Sequence, residues 1–146
     1  MRWIAMVAAL LLVPLAYAAD VGQVKTLKGT AHIERAGQQI PVALGVKVQQ
    51  SDTIVTGPNS TVGITFSDNS RISAGPSTVL SIEKYAFDST TNVGKFDASI
   101  KKGTLAVVSG KMVKQTPGSM RIRTPASIMG VRGTEFVVKV ADASSN

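Results

Sequence analysis

Side chains suited to catalysis are few in this chain. The single histidine, His32, lies beside Ile33 in a stretch that alternates like a β-strand, and no serine–histidine–aspartate set can be assembled around it. Because the chain has no cysteine, it offers neither a thiol nucleophile nor a disulfide. No glycine-rich loop precedes a helix in the manner of a phosphate-binding loop. We therefore predict that the protein is not an enzyme and binds no cofactor.

The acidic residues do not form a recognisable metal site. Asp52, Asp68, Asp88 and Asp97 lie in or near turns, where aspartate caps its own backbone. Their spacing lacks the dense Asp and Asn ligands of a calcium-binding loop. We therefore expect no metal centre.

The turn around Arg132 is the best candidate for a functional site. Glycines at 130 and 133 permit positive φ on both sides of it, so the backbone can turn sharply there. Glu135 follows three residues later, within reach of a guanidinium that could otherwise bind backbone carbonyls. Two interpretations remain open: Arg132 either ties a structural corner or contacts a partner. Gly130, Gly133 and Glu135 belong to the same candidate site.

The N-terminus has the anatomy of a secretory signal peptide. Arg2 supplies a positive charge, Trp3–Leu15 is apolar, and Ala16-Tyr17-Ala18 fits a small-x-small cleavage site. We predict a signal peptide over residues 1–18 and a periplasmic domain over 19–146, with its core at about 21–140. An uncleaved anchor is the alternative, but the apolar run is at the short limit for a span of about 20 residues.

Positive charge is concentrated towards the C-terminus. The formal net charge is +7, and Glu135 is the only acid between residues 101 and 139. Arg121 and Arg123 form a candidate basic face for lipopolysaccharide, acidic glycans or an acidic protein, unless the face is merely solvated. Nucleic acid is not expected, because the chain carries an export signal and no aromatic residues interleave with these charges. The basic residues of this region are Lys101, Lys102, Lys111, Lys114, Arg121, Arg123, Arg132 and Lys139.

The remaining sequence reads as strands and turns. Apolar residues alternate with polar ones over most of the chain, and turn signals recur roughly every seven to twelve residues, which is typical of all-β domains. No stretch shows a sustained helical period. Periodicity alone leaves a sandwich, a barrel and a solenoid open.

Four stretches carry more specific predictions. Residues 24–35 form a strand pair or one long strand bent at Gly29. Lys102-Gly103 forms a turn, and Leu105–Val108 is a strand buried on both faces. Residues 110–119 form a loosened loop, with Pro117-Gly118 as a turn.

An ordered set of short motifs spans most of residues 21–140. They are Ser51-Asp52, Ile54, Thr56-Gly57, Ser60, Val62–Phe66, Asp68-Asn69-Ser70, Pro76 and Leu80-Ser81-Ile82, followed by Thr124-Pro125 and Val131-Arg132-Gly133-Thr134-Glu135-Phe136. This ordered set resembles the motifs of the FecR domain family. Ser51 and Asn69 stand where family members commonly carry glycine, and asparagine keeps the turn chemistry of its position.

The resemblance implies an all-β domain with solenoid-like layers, located outside the cytoplasmic membrane; a β-sandwich is the alternative. In the namesake regulators this domain follows a cytoplasmic anti-sigma segment and a membrane helix, and it relays the state of an outer-membrane receptor. The chain shows neither segment, so we expect a stand-alone exported FecR-like domain. We predict a protein-interaction module of cell-envelope signalling or regulation that binds an unidentified envelope protein. A glycan- or peptidoglycan-binding domain is the alternative.

Overall fold

A computed structural model describes residues 19–141, which form 12 strands and one short helix. The signal peptide predicted over residues 1–18 lies outside the described residues. The elements are β1 Asp20–Lys28, β2 Ala31–Arg35, β3 Gln38–Pro41, β4 Lys47–Gln49, β5 Thr53–Thr56, β6 Thr61–Phe66, β7 Arg71–Ala74, β8 Val79–Phe87, β9 Gly94–Val108, α1 Lys111–Gln115, β10 Met120–Arg123, β11 Ile128–Gly130 and β12 Glu135–Val140.

The strands form one curled sheet with two halves. The first half has the order β4-β1-β6-β7-β9-β12, and the second has the order β3-β2-β5-β8-β9-β10-β11. Strand β9 belongs to both, because its residues 94–102 pair with β8 and its residues 103–108 pair with β12. Among the described strands, every pairing is antiparallel except that of β9 with β10.

The two halves are built as stacked layers. Each layer contains one strand from each half: β1 with β2, β6 with β5, β7 with β8, and the two ends of β9. The chain passes between halves at a corner made of glycine and threonine, and these corners bond to one another. Gly57 N donates to Thr30 O at 2.9 Å, Gly75 N donates to Thr104 O at 2.9 Å, and Thr78 N donates to Thr56 Oγ1 at 2.8 Å. We call this stack the corner column.

Apolar side chains from both halves fill the space inside the curl. Alternation within each strand produces this face, as in β6, where Val62, Ile64 and Phe66 are buried. Phe66 stacks on Tyr85 at a centroid distance of 5.6 Å and meets Phe96 edge-on at 4.7 Å. Residues from both halves therefore form a single core.

The all-β class is confirmed. The sheet is a curled half-barrel. Each of the layers that the resemblance implied is a pair of strands, one from each half, joined at the corner column. No helix among residues 19–141 is long and apolar enough to cross a membrane.

The chain bends at Gly29 as predicted, at φ +76, and the bend divides the segment into β1 and β2, which lie in different halves and do not pair with each other. Two other local predictions are wrong. Gly103, at φ +102, bends β9 without ending it, because the strand continues into the other half. Ala106 is exposed, so the strand end at Leu105–Val108 is buried on one face only.

The predicted loop at residues 110–119 contains the helix α1. Its apolar residues Met112 and Val113 are buried, and Lys111 N donates to Asp68 O at 2.8 Å. A helix of five residues is too short to show a period in the sequence. It forms because the end of the core accepts its two apolar side chains.

Two buried aspartates pair with side chains that are distant in the sequence, and the sequence pattern did not predict these pairs. The Asp52 side chain is 1% exposed and accepts bonds from Arg35 Nε at 2.8 Å and Arg35 Nη2 at 2.6 Å. Asp68 Oδ1 accepts a bond from the Tyr85 hydroxyl at 3.1 Å. Both aspartates lie in or near turns, as predicted, but each also accepts a hydrogen bond from a side chain that is distant in the sequence.

Candidate partner-binding end of the sheet

The Arg132 turn is held by other residues than those expected. Gly133 has φ +94, whereas Gly130 ends β11 without a positive φ. Arg132 is exposed, and no carboxylate of residues 19–141 lies within 4.0 Å of its guanidinium. The pairing with Glu135 that the spacing allowed is therefore not formed. The Arg132 side chain therefore does not fix this turn.

Ser109 and Val131 fix the turn instead. The Ser109 hydroxyl donates to Gly133 O at 2.6 Å, and its backbone N–H donates to Thr134 O at 2.7 Å. Val131 is 3% exposed and its N–H donates to Met120 O at 2.8 Å. The turn is consequently anchored by Ser109 and by the backbone of Val131, while the side chain of Arg132 is exposed. Ser109 carries no sequence signal that distinguishes it from other loop serines.

The candidate basic face is largely neutralised by acids of neighbouring strands. Arg121 Nε lies 3.4 Å from Asp97 Oδ1, and Arg123 Nη1 lies 3.8 Å from Glu83 Oε2. Lys95 also reaches Asp97, at 3.7 Å. The sequence predicted a basic face because the acids that pair with Arg121 and Arg123 lie in β8 and β9, outside the segment in which the basic residues cluster. The surface is a mixed array of charges, and exposed pairs of this kind contribute little to stability.

A groove of about 500 Å³ lies between the β10–β11 hairpin and β12. Met129, Val138 and Val140 supply its apolar wall, and Lys101 and Lys139 are among its lining residues. The rest of the lining consists of Thr124, Pro125, Ala126, Ser127, Val137 and Ala141. The groove thus combines apolar surface with basic residues, and no acidic side chain of residues 19–141 lines it.

Strands β11 and β12 are both edges of the sheet. Within residues 19–141, β12 pairs only with β9, and β11 pairs only with β10. Each edge exposes a large apolar side chain, with Val137 of β12 68% exposed and Ile128 of β11 59% exposed. An exposed edge strand with apolar residues is a template for pairing with another chain. We call β10, β11 and β12 together the C-terminal layer.

The opposite edges differ in character. Strand β4 is as short as β11, but its sequence is Lys-Val-Gln instead of Ile-Met-Gly, and β3 has the sequence Gln-Gln-Ile-Pro, with Pro41 at its end. Short, polar and proline-containing strands are the usual protection of an edge. The C-terminal layer is therefore the less protected end of the sheet.

The side chain of His32 contacts a carboxylate of its own strand. Its Nε2 lies 3.4 Å from Glu34 Oε1 on the surface of β2. Among residues 19–141 no group of three or more His, Cys, Asp or Glu side chains is placed to hold a metal ion.

The family follows from comparison with known proteins. A family model described as FecR protein matches residues 52–146, more than half of the chain. The chain belongs to the FecR family. No curated protein and no solved structure matches it. The FecR family is envelope-associated and is generally involved in signalling rather than catalysis.

The structure explains the two departures from the FecR motifs. Ser51 has φ +74 and Asn69 has φ +67, so both occupy the left-handed region that favours glycine. The motif aspartate that follows Ser51 is Asp52, the buried partner of Arg35. These FecR motifs therefore mark turns whose backbone conformation is set by the fold.

Proposed function

We propose that the protein is a non-enzymatic interaction module of the bacterial periplasm. It binds an envelope protein and thereby takes part in signalling or regulation at the cell envelope. The observation that carries this proposal is the unprotected C-terminal layer, where two edge strands present apolar side chains beside a groove. Family membership supports the setting, and the predicted signal peptide supports export.

The mode of binding that fits this surface is strand addition. An extended partner segment pairs its backbone with an exposed edge, while alternate side chains enter neighbouring pockets. Strand β12 offers an edge of six residues, and the groove beside it offers the pocket. Arg132 and Glu135 lie exposed at the start of this edge and are available to a partner.

Glycan binding is less well supported. Sugar sites generally need exposed aromatic rings for stacking, but Phe66, Tyr85 and Phe96 are buried in one cluster. Phe87 and Phe136 are partly buried and pack against the core. No aromatic side chain among residues 19–141 is exposed.

Site-specific photo-crosslinking in cells tests the proposal. A photoreactive residue at position 137 samples the β12 edge, and one at position 44 provides a matched control, because Val137 and Leu44 are 68% and 67% exposed. We expect one envelope protein to be captured from position 137 and not from position 44. Val137→Lys, which places a charge on the edge, is expected to abolish binding of that purified protein without unfolding the domain. Capture of the same proteins from both positions, or of none, would refute the proposal.

A further inference from the structure

The corner column is interrupted in the C-terminal layer. In the preceding layers the chain itself passes from one half of the sheet to the other. Here β10 ends opposite Ser99, and β12 ends opposite Gly103. The chain leaves β10 through the turn at residues 124–127 and does not connect the two strands. The last layer is consequently left open at its corner.

This interruption leaves one side of β9 unpaired over three residues. Ile100, Lys101 and Lys102 pair with neither β10 nor β12, although on the other side Ile100 and Lys102 pair with β8 and Lys101 lies at a bulge between them. The uncovered stretch is three residues long, about 10 Å at the rise of a β-strand. Lys101 is among the residues that line the groove. The groove is therefore the position that a connecting strand would occupy if the last layer were complete.

The two lysines that line the groove form no ion pair within the part of the chain that the structure describes. Lys101 and Lys139 have no acidic partner within 4.0 Å among the described residues, in contrast to Arg121 and Arg123. Because no acid of residues 19–141 lines the groove, an acidic group entering it would meet Lys101 and Lys139 without a competing carboxylate from those residues. The apolar wall would at the same time accept an aliphatic side chain.

On the basis of the proposed interaction function, we propose that this groove binds an extended segment of a partner protein in which acidic and apolar residues alternate. The segment completes the open corner of the last layer. Its acidic side chains lie on the side of Lys101 and Lys139, and its apolar side chains contact Met129 and Val140. Alternation is required because successive side chains of an extended peptide point in opposite directions.

A second copy of this chain fits the groove less well. The edge strands at the other end of the sheet, β3 and β4, have the sequences Gln-Gln-Ile-Pro and Lys-Val-Gln and contain no acid. They would bring no negative charge to the two lysines. The five residues that follow Ala141 contain one acid and no large apolar side chain, so they match the chemistry of the groove only in part.

Peptide binding to the full chain provides the test. The probe is a fluorescein-labelled Asp-Val-Asp-Val-Asp-Val peptide, measured by fluorescence anisotropy at low salt, and the control peptide has lysine in place of each aspartate. We expect the acidic peptide to bind and the basic one not to bind. Lys101→Glu and Lys139→Glu should each weaken binding about fivefold, since each turns an attraction at a partly exposed site into a repulsion. Lys84→Glu, an exposed residue outside the groove, is the matched control and should leave binding unchanged.

Several results would overturn the inference. Absence of binding, equal binding of both peptides, or binding that survives in the folded Lys101→Glu/Lys139→Glu variant would each do so. Concentration-dependent dimers that the peptide fails to dissociate would assign the groove to a second copy of the chain. Peptide binding seen only after removal of residues 142–146 would assign the groove to the C-terminal residues of the chain itself. Either result would also overturn the inference. A partner captured from position 137 together with a failed peptide assay would leave the interaction module intact and reject only the acidic segment.

Discussion

Replacement of Arg35 by methionine removes the partner of a buried charge. Asp52 Oδ1 and Oδ2 accept bonds from the Arg35 guanidinium, and Oδ2 also accepts a bond from Gln49 N at 2.8 Å. In Arg35→Met the carboxylate, whose side chain is 1% exposed, retains only the Gln49 amide. Methionine preserves most of the aliphatic stem, so the perturbation is chiefly electrostatic.

The expected destabilisation is about 3 kcal/mol. Two bonds to a charged group are worth about 1.5–3 kcal/mol each, and removing one member of a buried ion pair costs about 3–5 kcal/mol. We take the low end of that range because the Arg35 side chain is 30% exposed, which lets water replace part of the lost interaction.

Urea unfolding followed by far-ultraviolet circular dichroism measures this change. The matched control is Arg123→Met, since the 3.8 Å contact of Arg123 with Glu83 joins two exposed side chains and should change stability by less than about 0.5 kcal/mol. Adding Asp52→Asn to Arg35→Met should recover part of the loss, because it removes the unpaired charge. If Arg35→Met and Arg123→Met were equally stable, the assignment of Arg35 and Asp52 as a stabilising buried pair would be refuted.

Four further substitutions test the fold. Burial, with Asp68 beside it, raises the pKa of Tyr85, so the stability that the neutral phenol contributes is present below the unfolded-state pKa of about 10 and is lost progressively above it. Tyr85→Phe should therefore cost about 1–3 kcal/mol of stability at neutral pH. In urea unfolding across pH, the difference in stability between wild type and Tyr85→Phe should narrow above pH 10, and a constant difference would contradict this. Ser51→Gly should raise stability by about 0.5–1 kcal/mol, since relief of the strain at φ +74 exceeds the added chain entropy; a lower melting temperature would contradict it. Gly103→Ala should cost at least about 3 kcal/mol of stability, because Thr78 lies where the added β-carbon would be. Gly133→Ala, at a similar φ but with open space around it, should cost only about 1–2 kcal/mol. Equal losses of stability in the two variants would show that contact with Thr78 is unimportant.

Local pattern was sufficient for much of the fold. Strands β6, β7 and β10 show the alternation of apolar and polar residues that predicted an all-β domain, because one face of each is buried. The turn at Asp68-Asn69 was equally readable, since asparagine tolerates the positive φ that it adopts. The ordered motifs also identified the FecR family, which the match over residues 52–146 confirms.

Long-range contacts decided what the pattern left open. The continuity of β9 through Gly103 depends on strands of both halves pairing with it, and the helix α1 depends on space at the end of the core. Likewise, the neutralisation of Arg121 and Arg123 depends on acids from other strands. Short segments do not determine these outcomes, because the interactions join residues that are distant in the chain.

The candidate site divides in the same way. The sequence by itself determined that the segment after Thr124 makes a glycine-containing turn into a strand, because glycine positions and alternation are local properties. Only the tertiary structure decided that this turn is anchored by Ser109, that β12 is an edge, and that an open corner beside Lys101 forms a groove. Whether a strand has one neighbour or two depends on which other segments fold against it, and that is a property of the whole sheet.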